Sequence, residues 1–262
     1  MRMKEERCII QSIPAIVYGD SSESLFLYIH GKMGCKEEAA RFAEIVCPKG
    51  YQVLSMDLPG HGERADEMER FVPWEVVPEL RAVCGFAWQR WEKISLYANS
   101  IGAYFSLLAY RDAKLEKSLF VSPILDMEKL IRDMMGWAGV TREQLKEAGE
   151  IPTAFGETLS WSYLTYAAEH RITEWDSPTA ILYAGHDHLT ARETVDDFAK
   201  RFGCTVTTME DGEHWFHTEK QLDVLDTWLR RETDKPALTP GLETGLLYEV
   251  CGAGNGGDSC EE

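Results

Sequence analysis

KISLYANSIGAYFSLLAY, residues Lys93 to Tyr110, passes from a strand pattern to a helix pattern with no turn residue between them. Up to Asn99 the stretch is short, apolar and rich in Ile, Leu and Tyr, as a buried strand is; from Ile101 onward Ala103, Leu107, Leu108 and Tyr110 recur at helical spacing. A strand enters a helix directly only through a tight bend, which strains the residue at its apex and leaves little room two positions to either side. The apex is Ser100, and the flanking positions hold Ala98 and Gly102. Such a bend lifts the serine hydroxyl above the sheet. It also leaves the first amides of the new helix without acceptors, facing a point where an oxygen can take up negative charge.

Ala98-Asn99-Ser100-Ile101-Gly102 resembles the G-x-S-x-G nucleophile elbow of the α/β-hydrolase superfamily, with an alanine small enough for the bend in place of the first glycine. Other stretches resemble the same family. LFLYI, Leu25 to Ile29, ends at His30-Gly31-Lys32-Met33-Gly34, similar to the H-G-x-x-G loop that supplies one amide of an oxyanion hole. The resemblance implies Lys32 and Ile101 as the two donors; His30 reads as a core histidine that pins the loop by hydrogen bonding. The Lys32 ammonium is expected to reach solvent, the alternative being contact with an anionic acyl group. Asp57-Leu58-Pro59-Gly60-His61-Gly62 is similar to the loop after the family's fourth strand, where its role is to shape a turn, so Asp57 and His61 are set below other catalytic candidates. PTAILYA, Pro178 to Ala184, runs into Gly185-His186-Asp187-His188, the position of the family's acid. The strand Thr205 to Met209 runs into Asp211-Gly212-Glu213-His214-Trp215, the position of its histidine. The resemblance therefore implies Ser100, Asp187 and His214 as nucleophile, acid and base, with Asp126 and His217 as lesser alternatives. All three fall at the carboxyl ends of expected strands, where an open α/β sheet gathers its ligands.

Composition bounds the remaining possibilities. The chain has 262 residues, 44% hydrophobic and 27% charged, enough for one sizeable α/β domain with an insertion, the favoured reading, or for two small domains. No apolar run approaches the ~18 residues of a membrane span, and no secretory signal is expected at MRMKEERCIIQS. Seven cysteines without a C-x-x-C pair fit a reducing cytoplasm; Cys8, Cys47, Cys84 and Cys204 read as core-filling thiols. A net charge of −17 repels nucleic-acid phosphates and anionic headgroups, and no Lys/Arg cluster offsets it. Neighbouring His186, Asp187 and His188 on one tight loop do not readily converge on an ion. With no H-x-x-x-H helix, no G-x-G-x-x-G and no phosphate loop, neither a metal nor a nucleotide cofactor is expected.

The expected fold is α/β: a mostly parallel eight-stranded sheet flanked by helices, as the resemblance implies over roughly residues 8 to 231. Residues 1–125 and 176–232 would form the core and 126–175 a small helical cap with no strand pattern of its own. Residues 233–262, Gly-rich after Cys251, would be a tail, either flexible or able through Leu246, Leu247, Tyr248 and Val250 to add a strand or dock on a neighbour. Met33, Met134, Trp137, Trp161 and Trp215 are candidates for lining a substrate pocket. Within the superfamily the chain resembles the branch of esterases, acylglycerol lipases and serine aminopeptidases. The expected activity is hydrolysis of a small or medium carboxylic ester through an acyl-enzyme. Amide, peptide or thioester hydrolysis on the same residues, and a ligand-binding homologue without turnover, are the alternatives. The oligomeric state is left open.

Overall fold

The computed structural model describes residues 3–234 and the backbone of 248–250. The chain runs through β1 (Glu5–Ile10), β2 (Ile13–Tyr18), β3 (Ser24–Ile29), α1 (Ala39–Val46), β4 (Tyr51–Met56), α2 (Pro73–Trp88), β5 (Lys93–Asn99), α3 (Ile101–Ala109) and β6 (Ser118–Val121). An inserted segment follows, with α4 (Met127–Ala138), α5 (Arg142–Ala148), β7 (Glu150–Pro152), β8 (Thr158–Ser160) and α6 (Trp161–Glu169). The chain then returns through β9 (Thr179–Ala184), α7 (Arg192–Phe202), β10 (Thr205–Met209), α8 (Glu219–Asp234) and β11 (Tyr248–Val250).

Eight strands in the order β1-β2-β4-β3-β5-β6-β9-β10 form the main sheet. β2 pairs antiparallel with both β1 and β4, and all later pairs are parallel. The central strands are near-continuous apolar runs because helices cover both faces: every residue of β9 is buried, as are all but the first of β3. β1 is an edge strand with exposed Glu5, Glu6 and Arg7, charges that discourage a further strand from adding there. At the opposite edge β11 joins β10 in parallel, pairing Val206 with Tyr248 and Thr208 with Val250. This resolves the open expectation for Tyr248 and Val250 in favour of an added strand. The rest of the expected tail, including the Gly-rich stretch after Cys251, lies outside the described residues.

Two apolar layers sandwich the sheet. Phe42 of α1 and Leu225, Trp228 and Leu229 of α8 pack with Phe26, Tyr28 and Tyr97 on one face. On the other, α2, α3 and α7 pack with the inserted segment through Leu80, Phe105, Leu130, Leu164 and Phe198. Connections within the main sheet therefore cross from one face to the other, and the loops at the strands' carboxyl ends gather along one rim. Among the described residues no helix is long and apolar enough to cross a membrane.

The inserted segment corrects one expectation. Besides its helices it carries the antiparallel hairpin β7–β8, with Ile151 opposite Leu159. Each strand is three residues long and one contains Pro152, too short for alternation to register. Its turn is set by Gly156, at φ +87°, and by the Thr153 amide donating to the Glu157 carbonyl at 2.8 Å.

Candidate active site

Ser100 sits between β5 and α3 with φ 51° and ψ −123°, a conformation that costs a non-glycine residue of order 1–3 kcal/mol and persists only where neighbours enforce it. They do so on both sides. The Ser100 amide donates to the Val121 carbonyl at 3.0 Å, and the Ser100 carbonyl accepts from Ala103 and Ile124, each at 3.1 Å. Gly102 is required by close approach: a Cβ there would lie 2.5 Å from the His30 carbonyl oxygen. A Cβ on Gly31 would stand 3.2 Å from that of Ser100, so the loop after β3 lies directly against the serine.

The Ser100 hydroxyl is 2.8 Å from His214 Nε2, and His214 Nδ1 is 2.8 Å from Asp187 Oδ2. Asp187 Oδ1 accepts the amides of Leu189 at 2.8 Å and Thr190 at 3.1 Å, so the carboxylate is fixed before it meets the histidine. Thr190 is anchored in turn, its hydroxyl donating to the Pro123 carbonyl and its own carbonyl accepting from Tyr183. Gly185 and Gly212 bring the acid and histidine loops together. The Gly185 amide donates to Met209, the His186 amide donates to Gly212, and a Cβ on Gly185 would come within 2.2 Å of the Glu210 carbonyl oxygen. The Asp187 side chain has no exposed surface, and that of His214 is 12% exposed. Three groups far apart in sequence thus form one hydrogen-bonded line.

Beside Ser100, the loop Gly31-Lys32-Met33-Gly34 turns sharply, its Gly34 amide donating to the Gly31 carbonyl at 3.2 Å and Met33 taking φ +67°. Ile101 opens α3, so its amide has no intrahelical acceptor. Two histidines hold the turn from below. His30 Nδ1 donates to the Gly31 carbonyl at 2.7 Å while its Nε2 accepts from the Leu58 amide at 3.1 Å; burial drives its pKa down to about 4. His61 Nδ1 donates to the Pro59 carbonyl at 2.8 Å while its Nε2 accepts from the Met33 amide at 2.9 Å. Pinning by His30 matches the expectation; the matching bond from His61 had no signal in the sequence.

Asp57 is fully buried and holds its loop. It accepts from Lys36 Nζ at 2.5 Å and from the Lys36 and Glu63 amides at 2.9 and 3.0 Å. Burial by itself would raise its carboxyl; the Lys36 ammonium and these amides hold it below the usual carboxylate range. Asp126 caps α4 by accepting from the Lys129 amide, and the carboxylate bonded to His214 is that of Asp187. His217 bonds the Trp215 carbonyl, and His186 and His188 are exposed, the His188 ring 6.2 Å from that of His214. Among the pocket candidates, Met134 and Trp161 are partly buried against the apolar layer beneath the inserted segment. Met33, Trp215 and Trp137 stand 89%, 71% and 53% exposed. The Lys32 ammonium pairs with Glu157 at the tip of the β7–β8 hairpin, a contact that sequence reading missed because no hairpin was expected there.

No protein-family model matches the chain, and no curated protein matches it by sequence. Solved structures do match. Est1E from Butyrivibrio proteoclasticus, solved with ferulic acid bound, superposes with a TM-score of 0.69 at 19% identity, covering 87% of this chain and 97% of that one. Alpha/beta hydrolase domain-containing protein 10 from mouse gives 0.67 at 14% identity, covering 89% and 99%. The chain has the α/β-hydrolase fold. An esterase from Pyrococcus furiosus shares this hydrolase fold at a TM-score of 0.61 and 14% identity, covering 89% of each chain. In the hydrolase fold of this chain Ser100, Asp187 and His214 lie on loops that follow β5, β9 and β10, on the rim at the carboxyl ends of those strands.

Proposed function

We propose that the chain is a serine hydrolase that cleaves small or medium carboxylic esters through an acyl-enzyme. The observation that carries this is the hydrogen-bonded line from Asp187 through His214 to Ser100, with both links at 2.8 Å. A serine hydroxyl is a weak nucleophile at its free pKa, and a histidine at this distance can accept its proton as it attacks the ester carbonyl. Asp187 keeps the proton of the neutral imidazole on Nδ1, leaves Nε2 as the acceptor, and stabilises the imidazolium that forms. The negative charge moves to the carbonyl oxygen. There the Lys32 and Ile101 amides would receive it, each contributing about 3 kcal/mol in comparable sites. His214 then passes its proton to the leaving alcohol, and water, deprotonated by the same histidine, releases the acid and restores Ser100.

Met33 and Trp215, the neighbours of a proposed oxyanion donor and of the base, support a substrate with apolar groups near the reacting carbonyl. The inserted segment 126–175 is the proposed cap, its hairpin tied to the oxyanion loop through Lys32 and Glu157. Free Cys8, Cys35, Cys47, Cys84 and Cys204 support a reducing, cytoplasmic setting.

The test is labelling with a fluorophosphonate probe, on wild type and on Ser100→Ala, with mass spectrometry to locate the adduct, followed by matched esters, thioesters and arylamides. Adduct confined to Ser100 with ester turnover supports the proposal. Faster arylamide or thioester turnover on a labelled Ser100 moves the assignment to that acyl class. A folded protein without label or turnover marks a ligand-binding homologue.

A further inference from the structure

The turn that carries the Lys32 amide is held by bonds that run in both directions between two loops. His30 belongs to the loop after β3 and reaches the Leu58 amide in the loop after β4; His61 belongs to the loop after β4 and reaches back to the Met33 amide. The rings lie 5.1 Å apart, and Phe71 closes the other side of His61 with its ring 4.6 Å away. Both histidines are buried.

Each ring has one nitrogen facing a carbonyl, which only accepts, and one facing an amide, which only donates. Both histidines are therefore neutral and protonated on Nδ1. These bonds act on two successive peptide planes. The Gly31 carbonyl is fixed by His30 Nδ1–H and by the Gly34 amide. In a trans peptide the N–H points opposite to the C=O, so holding Gly31 O sets the direction of the Lys32 N–H. The next plane is fixed from its amide, which His61 Nε2 accepts. With both planes held, the donor has little freedom to swing.

We propose that His30 and His61 form a reciprocal clamp that aims the Lys32 amide at the Ser100 reaction centre, with His61 a positioning residue for the reaction. This rests on the hydrolase assignment above. Protonation of His61 would present a second N–H to the Met33 N–H and break the bond, so the clamp holds only while the ring is neutral. The ionisable groups around His61 are His30 and Lys32 on the facing loop and Asp57 on its own, the last paired with Lys36. Burial, with Lys32 adding to it and the Pro59 carbonyl and Asp57 opposing, keeps the ring neutral below its ordinary range.

The experiment compares wild type, His61→Leu and His61→Gln in steady-state ester hydrolysis across acid pH, with folding checked by circular dichroism and with Ser100→Ala as control. His61→Leu removes the acceptor and is expected to lower kcat by about 100-fold with KM nearly unchanged, the loss that follows when an oxyanion donor is misaimed. His61→Gln can offer its side-chain oxygen to the Met33 amide and does not titrate. It is expected to retain kcat within about fivefold of wild type and to show a shallower acid limb, since one protonation that disables the enzyme is gone. A Ser100-dependent activity with kcat unchanged in folded His61→Leu overturns the clamp. So does a folded His61→Gln whose kcat falls as far as that of His61→Leu, or whose acid limb matches wild type. A Ser100→Ala protein that stays active overturns the hydrolase assignment and the clamp with it, and is distinguished by that control.

Discussion

Ser100 lies against Gly31, the residue after His30, and both Ser100 and His30 carry a cost that their surroundings offset. Ser100 is held in a strained conformation by the amides and carbonyls of the strand and loop beside it. His30 is held neutral by burial, which pushes its pKa to about 4, only partly offset by the Gly31 carbonyl. In the unfolded chain the same ring titrates near 6.5. Between the two values the unfolded chain binds a proton that the folded protein refuses, so the stability His30 contributes is complete above about pH 6.5 and is lost as pH falls toward 4. The full swing is on the order of 3 kcal/mol. Urea titrations at steps from pH 7 to pH 4 are expected to show this decline in wild type and a shallower one in His30→Asn; equal slopes would contradict it. The sequence makes Ser100 legible because small neighbours at 98 and 102 signal a bend. It does not reveal the tautomer of His30, because that depends on which groups of a distant loop face the ring.

The elements that matter most to the site are the loops after β3 and β4, and beneath the histidines a buried ion pair ties them together. Lys36, on the short 3₁₀ turn that follows the β3 loop, is 1% exposed and meets Asp57 and Glu63 at 2.5 and 2.8 Å. A pair taken out of water gains little over an apolar pair, but removing one partner leaves an uncompensated charge. Lys36→Met is therefore expected to cost about 3–5 kcal/mol in chemical denaturation. The double variant Lys36→Met/Asp57→Asn should cost less than the single one, because no charge remains buried; a larger loss in the double would remove this account. Arg64 binds the second loop to α2 in the same way, through paired contacts to Glu79 at 2.6 and 2.8 Å. In the sequence the part of this region from Glu63 to Arg70 shows only a run rich in charged residues ahead of a helix. Its order comes from pairings across fifteen to thirty positions, which no local pattern encodes.

Across the whole molecule the net charge of −17 sets the field that a substrate meets. The Lys32 ammonium beside the site is engaged by Glu157 and does little to offset it. Matched neutral and carboxylate-bearing esters should therefore differ in kcat/KM by roughly tenfold in favour of the neutral ester at low salt, and the gap should narrow toward physiological ionic strength as screening shortens the field. A ratio independent of salt would assign the preference to contacts in the pocket instead. The sequence by itself determined the alternation of strands and helices and the bend at Ser100, because periodicity and small residues at a bend are local constraints that a single chain displays; the loops holding Asp187 and His214 stood out only through their resemblance to a known family. Only the tertiary structure decided that Asp187 rather than Asp126 meets His214, that His61 faces Met33, and that a hairpin in the inserted segment reaches Lys32. Those contacts join residues more than twenty positions apart, and they exist only once sheet order and loop packing have set which carbonyl, amide or carboxylate each side chain meets.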